Sequence, residues 1–118
     1  MVAHVMLLAP RLDLTREAQD ALVAALERAA REIPSVRRVQ VGRRVRHGQA
    51  YENGMAVDYP FAAVFEFDDL AGLQAYLRHP AHADLGNRFY DSLAAALAYD
   101  YEMTEVAAVR TWFRDRKV

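Results

Sequence analysis

The stretch YPFAAVFEFDDLAGLQAYLRHPAH, from Tyr59 to His82, changes backbone state three times, and the fold is read outward from it. Tyr59 to Phe67 is a short apolar run rich in aromatic side chains. It stops at two aspartates, which gives it the length and boundary of a strand. Asp68 or Asp69 then offers a side-chain oxygen to the free N–H groups of a helix whose Leu70, Leu73 and Leu77 fall on one inward face. Pro80 breaks that helix, having no N–H and a ring that crowds the preceding turn. It also begins another, because proline is favoured at the first helical position. His79 becomes the N-cap, and His82, Leu85, Gly86, Phe89, Leu93 and Ala96 share one stripe.

Upstream, residues 2–8 form an apolar run closed by Pro10, again a strand. Ala18, Leu22, Ala25, Leu26, Ala29 and Ile33 recur at three and four, which predicts an amphipathic helix capped by Asp13 or Thr15 and ended by Pro34. Val36, Val39, Val41 and Val45 alternate with arginines as a second strand through about Arg46, and residues 47–58 read as a polar loop around Gly48, Asn53 and Gly54. Downstream, Ala98 to about Val109 alternates as a fourth strand, while Arg110 to Val118 has no period. The order is βαββαβ with a helix pair, the ferredoxin-like arrangement: an α+β fold with a four-stranded antiparallel sheet and helices on one face. Phe61, Ala63, Phe65 and Phe67 alternate with Ala62 and Val64, so the third strand is apolar on both faces. The first strand is nearly so. A bare sheet face of that kind needs a cover, and a second copy of the sheet is the economical one, which predicts a homodimeric α/β barrel.

The chain has 118 residues, enough for one domain. Fifteen basic against sixteen acidic residues give a net charge of -1, without the basic balance of a nucleic-acid-binding module. Cysteine is absent, so disulfide frameworks and thiolate nucleophiles are excluded. The N-terminal run lacks a basic flank, and no stretch approaches the ~20 apolar residues that cross a bilayer, so no membrane partner is expected and the cytoplasm is the expected location.

Tyr76-Leu77-Arg78-His79-Pro80-Ala81-His82 places two imidazoles and a phenol around a helix break. His82, in the first turn of a helix and on its inward stripe, meets two influences that favour the neutral ring, burial and the positive end of the helix dipole. A neutral imidazole is a base, and the Tyr76 hydroxyl is a donor suited to a carbonyl or enolate oxygen. His4 joins them if the even face of the first strand looks into the same space. Tyr59, Phe61, Phe65, Phe89 and Tyr99 are the expected ligand walls, with His79 at the junction, although its position before Pro80 makes it a structural cap first. No metal is expected: His79, His82 and His4 have no neighbouring carboxylate on the stripe. Arg37, Arg38, Arg43, Arg44 and Arg46 read as solvated charges on a strand edge, and Glu66, Asp68 and Asp69 as a strand end and cap.

At this block the sequence resembles the stress-responsive α/β-barrel (Dabb) family. The resemblance runs over residues 2–102: the initial Val-x-His-Val strand, Ile33-Pro34, Gly42, Tyr59, Phe65-Glu66-Phe67, Tyr76 with His79-Pro80-x-His82, and Tyr99-Asp100-Tyr101. It implies a dimeric barrel. The plant polyketide cyclase of that family is similar over the same block, which implies a catalytic role for Tyr76 and His82 and a pocket place for His4. Where that cyclase has a further histidine, this chain has Phe61. Two functions compete. One is a small, partly apolar ligand bound in a cavity, with cofactor-free His/Tyr acid–base chemistry of cyclase or isomerase type. The other is a non-catalytic dimeric stress-response or structural module.

Overall fold

A computed structural model describes residues 1–115; the last three residues of the expected tail, 116–118, lie outside them. The elements are β1 (Val2–Pro10), α1 (Arg16–Glu32), β2 (Arg38–Arg43), α2 (Ala50–Asn53), β3 (Phe61–Phe67), α3 (Leu70–Arg78), α4 (Pro80–Ser92), β4 (Leu93–Glu102) and α5 (Val109–Asp115), the last preceded by a single 3-10 turn, Val106–Ala108. The four strands form one antiparallel sheet in the order β2-β3-β1-β4, as the element order predicts for a ferredoxin-like fold. Among the described residues no helix is long and apolar enough to cross a membrane.

The register decides which side chains face the helices. His4 stands opposite Phe65 on one side and Asp100 on the other, and Met6 opposite Ala63 and Ala98. Because side chains alternate along a strand, Val2, His4, Met6 and Leu8 share the helix-covered face with Phe61, Ala63, Phe65 and Phe67. Met6, Leu8, Ala63, Phe65 and Phe67 are buried there against Ala25, Ala29 and Ile33 of the first helical segment and Leu73, Tyr76, Ala81 and Leu85 of the later pair. The opposite face carries Ala3, Val5, Leu7, Ala62, Val64, Leu97, Tyr99 and Tyr101.

Helix ends follow the capping chemistry. Thr15 Oγ1 accepts from Ala18 N at 3.1 Å, and Asp69 Oδ1 from Gly72 N at 2.8 Å, which selects one of each candidate pair. His79 caps α4 with its ring: Nδ1 accepts from Ala81 N at 3.0 Å, and its own N–H closes α3 on the Tyr76 carbonyl. His79→Ala is therefore expected to lower the unfolding free energy by about 1 kcal/mol. His79→Asn should recover most of it. Urea unfolding of the three proteins at equal m-value checks this, and a deficit that asparagine leaves untouched would mean the cap is not what the ring supplies.

Several expectations need correction. β4 begins at Leu93, not Ala98, and ends at Glu102. Leu93 and Ala96 continue the helical stripe, but alanines tolerate either state, and β1 offers a hydrogen-bonding edge that the run Leu93–Leu97 pairs with. Leu70 and Leu77 are 57% and 42% exposed, since the Asp69 cap sets the helix phase so that Leu73 and Tyr76 turn inward instead. β2 is shorter than expected and β3 starts after Pro60, which has no N–H to give the ladder. The 47–58 loop holds a turn of helix: Gly48 takes a positive φ of 85°, and Glu52 accepts from His47 N and Gln49 N at 2.9 and 3.0 Å. Those two N–H groups also hold the Glu52 carboxyl below its usual pKa.

Candidate functional site

The centre of the helix-covered face is a group of rings contributed by four elements. Tyr76 of α3 packs against Phe65 and Phe67 of β3, each with ring centroids 5.2 Å away, against His4 of β1 at 5.8 Å, and against His82 of α4 at 4.7 Å. The helix break at Pro80 makes this possible. In one continuous helix, positions 76 and 82 would point about 120° apart and be separated by about 9 Å along the axis. The turn at His79 redirects α4 so that both point to the sheet.

Asp100 of β4, directly across the ladder from His4, completes the group: its Oδ1 accepts from His4 Nδ1 at 2.5 Å. An ionised carboxylate only accepts, so Nδ1 is the ring nitrogen that donates to it. The pair has one buried and one half-exposed member. A histidine so held has a defined tautomer and orientation, which is what a base or a hydrogen-bonding wall requires.

The two remaining polar groups are tuned in complementary directions. Burial pushes the Tyr76 hydroxyl up, with the Asp100 charge adding to it, so the phenol keeps its proton well above neutral pH. His82 is pushed below its usual value, first by burial and in smaller part by nearby His4, against the Leu77 carbonyl, which favours the charged ring. At neutral pH the site therefore offers a phenol donor beside an uncharged imidazole. Among the described residues, no three His, Asp or Glu side chains stand as a metal-holding group.

The structure thus brings His4, Tyr76, His82 and Phe65 together, with His79 at the edge as the helix cap. It separates the others. Phe61 and Phe89 lie along the same layer but line an apolar cleft of about 450 Å³ with Leu8, Leu22, Leu26 and Leu93. Tyr59 lines another, of about 410 Å³, beside Tyr51, Met55 and Val57. Tyr99 is opposite Val5, hence on the far face of the sheet and not in the wall that also holds Phe65; a strand alternates, and Asp100 has the inward position. Asp100 itself is missing from the sequence-based site. Its signal was present in the alternation Tyr99-Asp100-Tyr101, but only the β1–β4 register shows that it faces His4.

The model of the stress responsive A/B barrel domain, Dabb, matches residues 2–103. The chain belongs to the Dabb family. Among solved structures, this Dabb chain is similar to an Arabidopsis thaliana protein at 23% identity and TM-score 0.73, over 90% of this chain and 98% of that one. A dimeric ferredoxin-like protein of unknown function from Jannaschia sp. CCS1 shares 27% identity at TM-score 0.66, over 86% and 98% of the two chains. The hydroxynitrile lyase of Passiflora edulis superposes with TM-score 0.75 over 89% and 94% at 14% identity, a likeness of fold. By sequence, no curated protein matches the Dabb chain.

Proposed function

We propose that this Dabb chain acts as a homodimer that holds a small, partly apolar carbonyl compound between its helices and sheet and moves a proton on it without a cofactor. His82 takes and returns the proton, Tyr76 donates to the oxygen on which charge develops, and His4, held by Asp100, lines the polar end. One observation carries this reading: three polar rings from three separate elements meet in a single apolar layer, with one of them fixed by a carboxylate. Packing alone has no use for that arrangement, since apolar rings fill space without the cost of burying polar atoms.

The apolar part of the ligand is assigned to the cleft at Leu8, Phe61 and Phe89. Leu8 and His4 are on the same face of β1, about 13 Å apart, with buried Met6 between them. A ligand spanning cleft and cluster displaces the Met6 side chain, whose unbranched stem adapts readily. The dimer is supported by the two-faced apolar strands and by the dimeric relative from Jannaschia. The Passiflora relative is a lyase on this fold.

A second reading, a non-catalytic module, is favoured by the closure of the cluster: Tyr76 is 1% exposed and none of the five clefts described is lined by it, by His4 or by His82. A thermal-shift screen of wild type and His82→Gln against small aromatic, polyketide-like and carboxylic compounds separates the two. Compounds that raise the melting temperature of wild type and not of His82→Gln are expected, because a ligand selective for the folded state stabilises it by mass action. Equal shifts in both proteins, or none, would favour the module.

A further inference from the structure

The family match ends at residue 103, yet the chain continues into the 3-10 turn and α5. Its helix α5 borders the open face of the sheet, the face away from the candidate site. Val109 and Trp112, three residues apart and so on one side of α5, border a cleft of about 600 Å³ against Val5, Val64 and Tyr101. No residue of α5 is buried. Phe113, about 100° further round the helix, is 72% exposed, and Val106 is 89% exposed. A helix of seven residues has little stability of its own and depends on what it packs against. Here it shows apolar side chains on two sides and is tightly packed on neither.

Two sheets that pack face to face about 10 Å apart fill that space with their own side chains, so a helix about 10–12 Å thick standing at one end of the face holds a second sheet further off there and makes the contact itself. Whatever covers the open face must meet α5, because α5 stands on that face. We propose that α5 is a wedge in the dimer: Trp112 rests on its own sheet, while Phe113 and Val106 lie against the sheet of a second copy, with one wedge on each side of the two-fold axis. This rests on the homodimer reading above and adds what the shared domain lacks, a peripheral contact made by the extension. The exposed half of the partner face, around Leu97 and Tyr99, is apolar enough to receive it.

Trp112 is the single tryptophan, so its emission reports on α5 directly. Sedimentation and tryptophan emission of the full chain, over a dilution series, are compared with the same measurements on Phe113→Ser. The expected result is a dimer whose formation shifts Trp112 emission to the blue, and a dissociation constant raised about tenfold or more by Phe113→Ser with unchanged far-UV circular dichroism. Where dissociation lies below the working range, faster subunit exchange in Phe113→Ser is the equivalent result. A full chain that stays monomeric overturns the dimer reading and the wedge with it. A dimer whose strength and Trp112 emission ignore Phe113→Ser overturns the wedge alone. A tighter dimer in the variant also overturns it, since α5 would then shield the face from the partner.

Discussion

Phe65→Ala is expected to remove about 3–5 kcal/mol of unfolding free energy, a large share of the 5–15 kcal/mol that ordinary domains possess. Phe65 has no exposed surface and belongs to β3, one of the two central strands. Its ring is in contact with Tyr76 and edge-on to His4 at 6.3 Å. Those neighbours cannot collapse into the space left behind: His4 is tied to Asp100, and Tyr76 is held on its other side by Phe67. The loss therefore contains the transfer free energy of the ring and the cost of the remaining cavity. Urea unfolding checks it, with Phe65→Leu expected between the two. A loss under about 1 kcal/mol would show that the register placing Phe65 beneath Tyr76 is wrong.

On a substrate found through the ligand screen, His82→Gln is expected to lower turnover by about 10²–10⁴-fold, the usual worth of a positioned acid–base group. Tyr76→Phe keeps the ring packing and removes only the hydroxyl, so its effect should appear in turnover with stability nearly unchanged. The pH dependence follows from the directions of the two shifts. The proposed reaction uses the neutral imidazole of His82, so activity is expected to hold through neutral pH and to fall only as pH drops below about 6.5, through the depressed folded value. Stability runs the same way. Below the unfolded value the unfolded chain binds more protons at this position than the native one, so the contribution of His82 is present above about 6.5 and is lost on acidification. His4, Tyr76 and Asp100 face the same space, so the comparison is made against His82→Gln, which should flatten this part of both profiles. Retained turnover in both variants would remove the pair from the mechanism.

The parts of the fold legible in the sequence are those where two independent signals agree. β3 has an apolar run and an aspartate cap; the α3–α4 junction has a proline and a histidine that serves as the cap. β4 had neither. Leu93 to Ala98 is a run of small and aliphatic residues that suits helix or strand, and its state is decided by the free edge of β1, a long-range fact. The same register moved Tyr99 out of the site and brought Asp100 in. Tyr76 and His82 were readable because proline at position 80 gave the break between them, whereas the inward Tyr76 depended on a helix phase set by Asp69. α5 was illegible because a helix of seven residues with aromatic side chains on two sides has no single apolar stripe to read.

The position of β1 between β3 and β4 also determines the order in which the molecule can be completed. Val2, at the start of the first strand, pairs with Glu102, at the end of the last of the four. Until that late segment has emerged from the ribosome, β1 can zip only to β3, and its other edge stays open, with His4 lacking the carboxylate that fixes its tautomer. Closing so long a loop is slow, and the waiting intermediate displays an unpaired apolar strand to any neighbour. The sheet is thus completed only when β4 is available, and its most aggregation-prone moment falls just before that strand arrives.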